Sequence, residues 1–531
     1  MTAARALHES FAPYVWARTA ADVAASHGLS VAEVLRFDAN VPPLPGVPSV
    51  PLGESFSALN EYPEGTYREL REAAAAYSGA EPDEIVIGAG ADDLIGLVAR
   101  TFLGPGRTAA VQLPTYPLYA IASGIEGAGV VDAPFEPDAL GDVDVVWVCN
   151  PANPTGELVE PDAIAALARA LPDAIVAVDE AYFEYGGRTV VPFVREVPNL
   201  IAIRSLSKAF GFAALRVGYA VAASGVAAEL DRRRSPAPVS APAARIAAAA
   251  LRDPVLDVES EIAERERVRD ALLAAGLDCP RSFANFVYVP VEDGLELAGR
   301  LEERGLVVRR YPYAIRITPR LPAENDRLLA ALGVSPAASP ARSALVVRTT
   351  AETSLRVSLS LDGRRRSRVH TGVGFLDHLL AQLAFHGGLD LEVIAGGDLD
   401  VDEHHTVEDV MAAVGVALRE ALGAREGLTR YGAATVPMDE ARATAAVDLV
   451  RRPHAEIRLA FSGDRVGGLA LTLLPHALER FAIEAGCTVH VEAAGEDDHH
   501  VAEAAFKALG RALAQACARD GTGLGSTKGA L

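Results

Sequence analysis

Ala174-Ile-Val-Ala-Val-Asp179-Glu-Ala-Tyr182 holds five apolar residues in a row and then breaks into Asp, Glu and Tyr. An apolar run without polar alternation suits a strand buried on both faces, as in a parallel sheet covered by helices. Ligands of such sheets sit beyond the carboxyl ends of the strands. Asp179 and Tyr182 therefore fall where chemistry is expected. The same pattern recurs on either side. Ile85-Val-Ile-Gly leads to Gly90-Ala91-Asp92 and a helical pattern, and Thr108-Ala-Ala-Val-Gln-Leu follows. Asp144-Val-Val-Trp-Val-Cys leads to Asn150-Pro-Ala-Asn153-Pro-Thr-Gly. Leu200-Ile-Ala-Ile-Arg leads to Ser205-Leu-Ser207-Lys208, with Arg216 eight residues beyond the lysine. Alternation of such runs with helical stretches predicts an α/β fold with a mostly parallel sheet.

These residue types together suit pyridoxal phosphate (PLP). Its aldehyde needs a lysine amine, here Lys208. Its pyridine nitrogen needs a carboxylate, here Asp179. The ring 3-oxygen calls for donors such as Asn153 and Tyr182. The phosphate calls for hydroxyls, an arginine and a helix N-terminus, which Ser205, Ser207, Arg216 and the Gly90–Asp92 turn supply.

A second unit follows. Of 12 histidines only His8 and His27 precede residue 343. The Pro/Ala/Ser run 335–343 reads as a linker between a front unit, 1–334, and a back unit, 344–531. Leu345-Val-Val-Arg and Ser354-Leu-Arg-Val-Ser-Leu-Ser-Leu alternate as half-exposed antiparallel strands do, and helical patterns cover Val407–Leu422 and Val501–Ala518. The back unit is expected to be α+β. It carries two copies of HHxxxE, His404-His405-Thr-Val-Glu408 and His499-His500-Val-Ala-Glu503, preceded by His378 and His476 at similar intervals. This reads as an internal duplication. Positions i and i+4 share a helix face, so His404 points with Glu408 and His499 with Glu503, while His405 and His500 point elsewhere. Imidazole with carboxylate and no thiolate suits Mn, Fe, Ni or Zn, and argues against a structural zinc site.

Composition narrows the classes. The 531 residues allow two to four domains, and half are hydrophobic, as in globular proteins. The net charge of −22 disfavours nucleic acid and anionic membrane as partners. Four cysteines without a CxxC pair fit a reducing cytoplasm. No signal peptide or membrane span is evident. The Gly-rich tail Gly521–Gly529 is not a P-loop, but with Ser526 and Lys528 it can meet a small phosphate.

Tyr62-Pro-Glu-Gly, Gly90-Ala-Asp-Asp, Pro114-Thr-Tyr116-Pro-Leu-Tyr, Asn153-Pro-Thr-Gly, Asp179-Glu-Ala-Tyr, Ser205-Leu-Ser-Lys-Ala-Phe and Ile315-Arg316-Ile-Thr give residues 10–333 a resemblance to fold-type I aminotransferases, nearest to histidinol-phosphate aminotransferase. The resemblance implies Lys208 as the residue bonded to PLP, Asp179 at the pyridine nitrogen, and Tyr116 on the ring. It implies Tyr62 reaching the neighbouring subunit's cofactor phosphate, Arg316 clamping the glutamate carboxylate, and Arg309 near a substrate phosphate. Phe37-Asp-Ala-Asn40-Val-Pro-Pro departs from the family's usual Asn-Glu-Asn-Pro loop.

Phe375-Leu-Asp-His-Leu-Leu-Ala-Gln382, Asp402-Glu-His-His-Thr-Val-Glu-Asp, Pro437-Met-Asp-Glu-Ala, Asp498-His-His-Val-Ala-Glu-Ala-Ala-Phe-Lys507 and Ser526-Thr-Lys-Gly resemble imidazoleglycerol-phosphate dehydratase over nearly all of 344–531. This implies two manganese ions per site in a 24-subunit shell, with His378, His404, His405, Glu408, His476, His499, His500 and Glu503 as ligands. It implies substrate contacts from Gln382, Arg430, Arg452, Lys507, Ser526 and Lys528, and Glu352 as acid/base. Asp497 stands where the family often has Asn, which would add a carboxylate near the metal. The substrate C–H to be broken has no carbonyl beside it. The imidazole ring as imidazolate would expel the hydroxyl, with metals as Lewis acids and Glu352 shuttling the proton.

Joined, the resemblances imply consecutive steps of histidine biosynthesis, on phosphorylated imidazoles with glutamate as amino donor. The aminotransferase units would pair as dimers. Two alternatives are a PLP decarboxylase in front and a non-catalytic metal-bound scaffold behind.

Overall fold

The structure, a computed structural model, describes residues 13, 14, 16–46, 59–335 and 342–519. A seven-stranded sheet forms the centre of the front unit. Its order is Ile85–Gly88, Gly218–Ala222, Leu200–Ser205, Ile175–Asp179, Val145–Cys149, Thr108–Val111, Gly129–Asp132. All pairings are parallel except those of Gly218–Ala222, which is antiparallel to both neighbours. Strands Val145–Cys149 and Leu200–Ser205 are buried along their whole length, which explains their unbroken apolar sequences. A second, four-stranded sheet orders Leu35–Phe37, Leu306–Tyr311, Ala314–Ile317, Val287–Pro290. It carries Arg309 and Arg316 as register partners on adjacent strands.

The back unit repeats one design twice. Its first sheet orders Ser343–Thr349, Thr353–Ser360, Asp390–Gly397, Ser367–His370, with two antiparallel pairings and then a parallel one. The second orders Tyr431–Met438, Ala441–Asp448, Thr488–Ala494, His454–Ala460, with the same sequence of pairings. Helices Gly374–Gly387 and His404–Leu422 belong to the first half, Leu473–Ala485 and Asp498–Cys517 to the second. One hydrophobic core joins all four helices to both sheets. The helices begin three residues earlier than the apolar periodicity suggests, so that both HHxxxE segments open a helix.

The run assigned to a linker is shorter at its far end. Ser343 already pairs with Ser360, and Arg342 donates to Asp362 and to the Cys517 carbonyl. The units also pack against each other. Leu345 sits against the front unit's hydrophobic cluster, and Arg366 pairs with Asp257 at 2.7 Å.

Helix His404–Leu422 approaches Leu473–Ala485 at Gly415, where an added Cβ would lie 2.5 Å from the Phe481 carbonyl oxygen. Gly415→Ala should therefore destabilise the back unit by about 1–3 kcal/mol. Gly225→Ala, on an exposed helix turn with open space around it, should stabilise by about 0.5–1 kcal/mol. Denaturant titration of both variants checks the contrast; equal effects would refute it.

Candidate functional site

The front unit opens a cavity of about 860 Å³ at the carboxyl ends of its strands. Lys208, Asp179, Asn153, Tyr182, Ser205, Ser207, Arg216, Asp92, Ala91, Tyr116, Arg309 and Arg316 all line it. At one end, helix Ala91–Phe102 begins with Gly90 at φ +84°, and a Cβ there would lie 2.8 Å from an Arg216 guanidinium nitrogen. Glycine thus lets the arginine close over the helix N-terminus, an anion cradle. Arg216 pairs with Asp92 at 3.1 Å, and the Tyr116 hydroxyl donates to Asp92 at 3.2 Å. The Ser207 amide donates to Ser205 Oγ at 3.1 Å.

Asp179 lies deep in the cavity. Burial pushes its carboxyl up to about 6, against hydrogen bonds from Tyr119 and the Ala181 amide that favour the anion. The Tyr119 hydroxyl donates to Asp179 Oδ2 at 2.7 Å, and its ring stacks on Trp147 at 5.5 Å. Lys208 lies 5.7 Å from the Tyr182 ring, and burial pulls its amine down to about 8. Asn40 donates to the Tyr182 hydroxyl at 2.8 Å and accepts from Thr318 Oγ1 at 2.8 Å. Arg316 donates to Asn153 Oδ1 and, at 3.0 Å, to the Asp38 carbonyl. Its Nε is buried with no partner among the described residues, so the guanidinium can still serve a ligand. The residues fit PLP: a buried acid for the ring nitrogen, an amine of lowered pKa, and a helix N-terminus with arginine and hydroxyls for the phosphate. Tyr62 is elsewhere, 91% exposed beside Pro63 and Arg245.

The back unit gathers its ligands into two triads, and the triads cross the halves. His378 of the first half joins His499 and Glu503 of the second; His476 of the second joins His404 and Glu408 of the first. In each triad one carboxylate oxygen faces both imidazoles. Glu503 Oε2 lies 3.5 and 3.3 Å from Nε2 of His378 and His499. Glu408 Oε2 lies 3.4 and 3.2 Å from Nε2 of His404 and His476. The second oxygen is held by Lys507 at 2.7 Å in one triad and by Arg480 at 3.1 Å in the other. His378 Nε2 is buried without a hydrogen-bond partner among the described residues. Two imidazoles and a carboxylate per cluster suit a divalent metal.

His405 and His500 belong to neither triad. Each is steered by a carboxylate on Nδ1, Asp398 and Glu440 respectively, both at 3.0 Å, which fixes the ring and leaves Nε2 for another ligand. Those hydrogen bonds raise both imidazole pKa values and hold Glu440 down to about 2. Glu352, 54% exposed at its side chain, lies 3.8 Å from His405 Nε2 rather than in a triad. Asp497 is explained as a helix cap accepting from the His499 amide at 2.8 Å, the role Asp402 plays for His404.

The remaining expected substrate residues are dispersed. Gln382 lines a groove with Phe385, His386 and Pro45. Arg430 is buried and engages Asp448 through two nitrogens, at 2.7 and 3.0 Å. Arg452 is exposed. Ser526 and Lys528 lie outside the described residues. Tyr119, Asn40 and Arg480 escaped the sequence reading. Lysine scarcity does not point to these residues, but it supports the lysines already singled out: the chain has three, Lys208, Lys507 and Lys528, among 49 Lys and Arg. Where arginine is the default cation, a retained lysine marks a place needing a compact or deprotonable amine.

A fold-type I PLP cavity joined to paired histidine–carboxylate clusters defines a two-site enzyme, an aminotransferase ahead of a lyase. Comparisons agree. Residues 32–332 match the family model "Aminotransferase class I and II", and 371–513 match "Imidazoleglycerol-phosphate dehydratase". The imidazoleglycerol-phosphate dehydratase of Magnetococcus marinus is 51% identical over 195 residues, 36% of this chain and 98% of that protein. The "Histidine biosynthesis bifunctional protein HisB" of Stenotrophomonas maltophilia is 48% identical over 190 residues, which span 53% of its length. Among solved structures, histidinol-phosphate aminotransferase from Sinorhizobium meliloti, in complex with pyridoxal-5'-phosphate, has a TM-score of 0.55 and 26% identity, covering 61% of this chain and 97% of that one. The chain belongs to the class I and II aminotransferases through its front unit and to the imidazoleglycerol-phosphate dehydratases through its back unit.

Tyr119→Phe removes a donor that favours ionised Asp179, so the carboxyl should rise further above about 6 and approach the assay pH. The acidic limb of the aminotransferase pH–rate profile should move to higher pH; an unmoved limb would count against this role. A chelator should abolish the lyase activity and leave PLP absorbance and transamination intact, with a divalent cation restoring the loss. Loss of both activities would contradict separate sites.

Proposed function

We propose that the back unit removes water from imidazoleglycerol phosphate to give imidazole acetol phosphate, and that the front unit transaminates this ketone with glutamate to histidinol phosphate. The observation that carries the proposal is the presence in one chain of both sites, the ketone made at one being the substrate of the other. In the front cavity, bound PLP supplies an electron sink. Lys208 anchors it, and its amine, lowered by burial to about 8, moves the proton at the substrate's α-carbon. Asp179 keeps the ring nitrogen protonated, Tyr116 covers the ring face, and Arg316 orients the carboxylate. In the back unit, metals supply Lewis acidity. His404, His476 and Glu408, and His378, His499 and Glu503, hold one ion each, with His405 and His500 completing the set from neighbouring copies. Glu352 carries the proton, and Lys507, Ser526 and Lys528 meet the substrate phosphate.

The finer assignments belong to the same proposal: Mn²⁺ as the metal, a front unit of 1–334 and a back unit running from Arg342, paired aminotransferase units, a 24-subunit dehydratase shell, and a cytoplasmic location. Exposed Tyr62 supports pairing, since it is accessible to a neighbouring subunit's cofactor. No helix among the described residues is long and apolar enough to cross a membrane.

The full chain given PLP, Mn²⁺, glutamate and imidazoleglycerol phosphate should form histidinol phosphate and 2-oxoglutarate in equal amounts. Without glutamate, imidazole acetol phosphate should accumulate. Release of CO₂ from a phosphorylated amino acid without transamination would replace the front reading with a decarboxylase. Absence of dehydration would leave the back unit a scaffold.

A further inference from the structure

Besides the apolar contact of Leu345, the two units are joined by a cluster of buried charges that reaches toward the wall of the front cavity. Glu392, on strand Asp390–Gly397 of the first back sheet, is fully buried. Arg356 and Arg368 hold it from the same sheet at 3.1 and 3.2 Å, and Arg320 of the front unit holds it at 3.3 Å. Burial alone would raise its pKa; the three arginines overcome this and hold it below the usual carboxylate range. Arg320 also pairs with buried Glu324 at 2.7 Å, and Glu324 accepts from Ser358 Oγ of the back unit at 2.9 Å. Arg356 donates in addition to the carbonyls of Ala32 and Val34 in the front unit, at 3.0 and 2.7 Å.

Both front segments gripped in this way lead directly to Arg316. Arg320 lies four residues beyond Arg316, just past strand Ala314–Ile317. Ala32 and Val34 precede strand Leu35–Phe37, which delivers Asp38 and Asn40 to the cavity. The two segments are tied together there. The Thr318 amide donates to the Phe37 carbonyl at 2.8 Å, Thr318 Oγ1 donates to Asn40 at 2.8 Å, and the Asp38 carbonyl accepts from Arg316 at 3.0 Å. Arg320 and Arg356 therefore grip the two pieces of chain that aim the Arg316 guanidinium.

We propose that Glu392 and Arg356, residues of the dehydratase unit, are positioning residues for the aminotransferase: they set the Arg316 fork for the substrate carboxylate. The inference rests on reading Arg316 as that clamp. Bidentate recognition depends on the angle of the fork, so a small shift of its backbone weakens carboxylate binding. The pair Arg364–Asp257, at 2.6 Å, also joins the units but touches neither segment, and it offers an internal comparison.

The test uses the full chain loaded with PLP and follows steady-state transamination against glutamate concentration, dehydratase activity and thermal unfolding. Glu392→Gln and Arg356→Lys should each raise the KM for glutamate by about ten-fold with kcat within about two-fold, the signature of lost ground-state binding. Glu392→Asp, which keeps the charge, should recover part of that loss. Arg364→Gln should leave KM unchanged. If KM stays within about two-fold of the parent in both Glu392→Gln and Arg356→Lys while thermal stability falls, the cluster is adhesive only and the proposal is overturned. An equal rise in Arg364→Gln would also overturn it, by showing general loosening. Should Glu392→Gln lose its dehydratase activity through misfolding, the milder Arg356→Lys decides. Arg316→Lys in the otherwise native chain separates the two layers: an unchanged glutamate KM there refutes the clamp itself, whatever Glu392 does.

Discussion

A carboxylate shut away from water must be surrounded by positive charge, and Glu392 is such a group. The compensating charge is shared between the units: two of its arginines come from its own sheet and the third, Arg320, from the aminotransferase unit. Buried ion pairs of this kind contribute little net stability, because desolvation offsets their attraction. Their hydrogen bonds are directional, however, and a directional interface cannot slide as an apolar one can. The two catalytic units are thus docked in one orientation by side chains, not merely tethered by the segment between them.

Within each unit the same economy places the sites. In front, strands Val145–Cys149, Ile175–Asp179 and Leu200–Ser205 lie side by side, and the residues at and just beyond their ends bring Asn153, Asp179, Tyr182, Ser205, Ser207 and Lys208 to the cavity. Behind, the duplicated halves interleave, so that each HHxxxE segment receives its third ligand from the other half. Neither half can assemble a triad by itself. Metal binding therefore depends on the packing of helices from both halves, which the shared core secures.

Much of this was legible in the sequence because the relevant signals are local. Apolar runs that end in Asn, Asp or Ser-Lys announce strands and their catalytic ends. The i, i+4 spacing of HHxxxE correctly separates His404 and His499, which point with their glutamates, from His405 and His500, which do not. What escaped depends on pairing across long separations. Tyr119 reaches Asp179 from 60 residues away and Asn40 reaches Tyr182 from 142. Both fall in stretches already singled out, Pro114–Tyr119 and Phe37–Pro43, but nothing within those stretches announces the partner each reaches. The swap of His378 and His476 between halves is invisible to a repeat count, which registers only that each half has one. The Pro/Ala/Ser run reads only as a linker, and nothing near it in sequence announces that Glu392 and Arg320 meet.

The two halves of the back unit share one topology but differ on the outward faces of their sheets. Helix Gly374–Gly387 ends in left-handed Gly388 and helix Leu473–Ala485 in left-handed Gly486. Counting from these glycines makes His490 the counterpart of Glu392. The ladders then match Ser358 with Ala446 and Arg368 with Glu456. On the first sheet, Glu392 and Ser358 at these outward positions contact Arg320 and Glu324 of the aminotransferase unit. On the second, His490 is exposed. The inward positions, Leu391 and Val393 against Val489 and Val491, remain apolar in both because the shared core demands it. One face of each repeat is thus constrained by a common core, while the opposite face was left to specialise. The apolar pattern of the two halves therefore matches where both face the shared core and differs where the first sheet meets the aminotransferase unit.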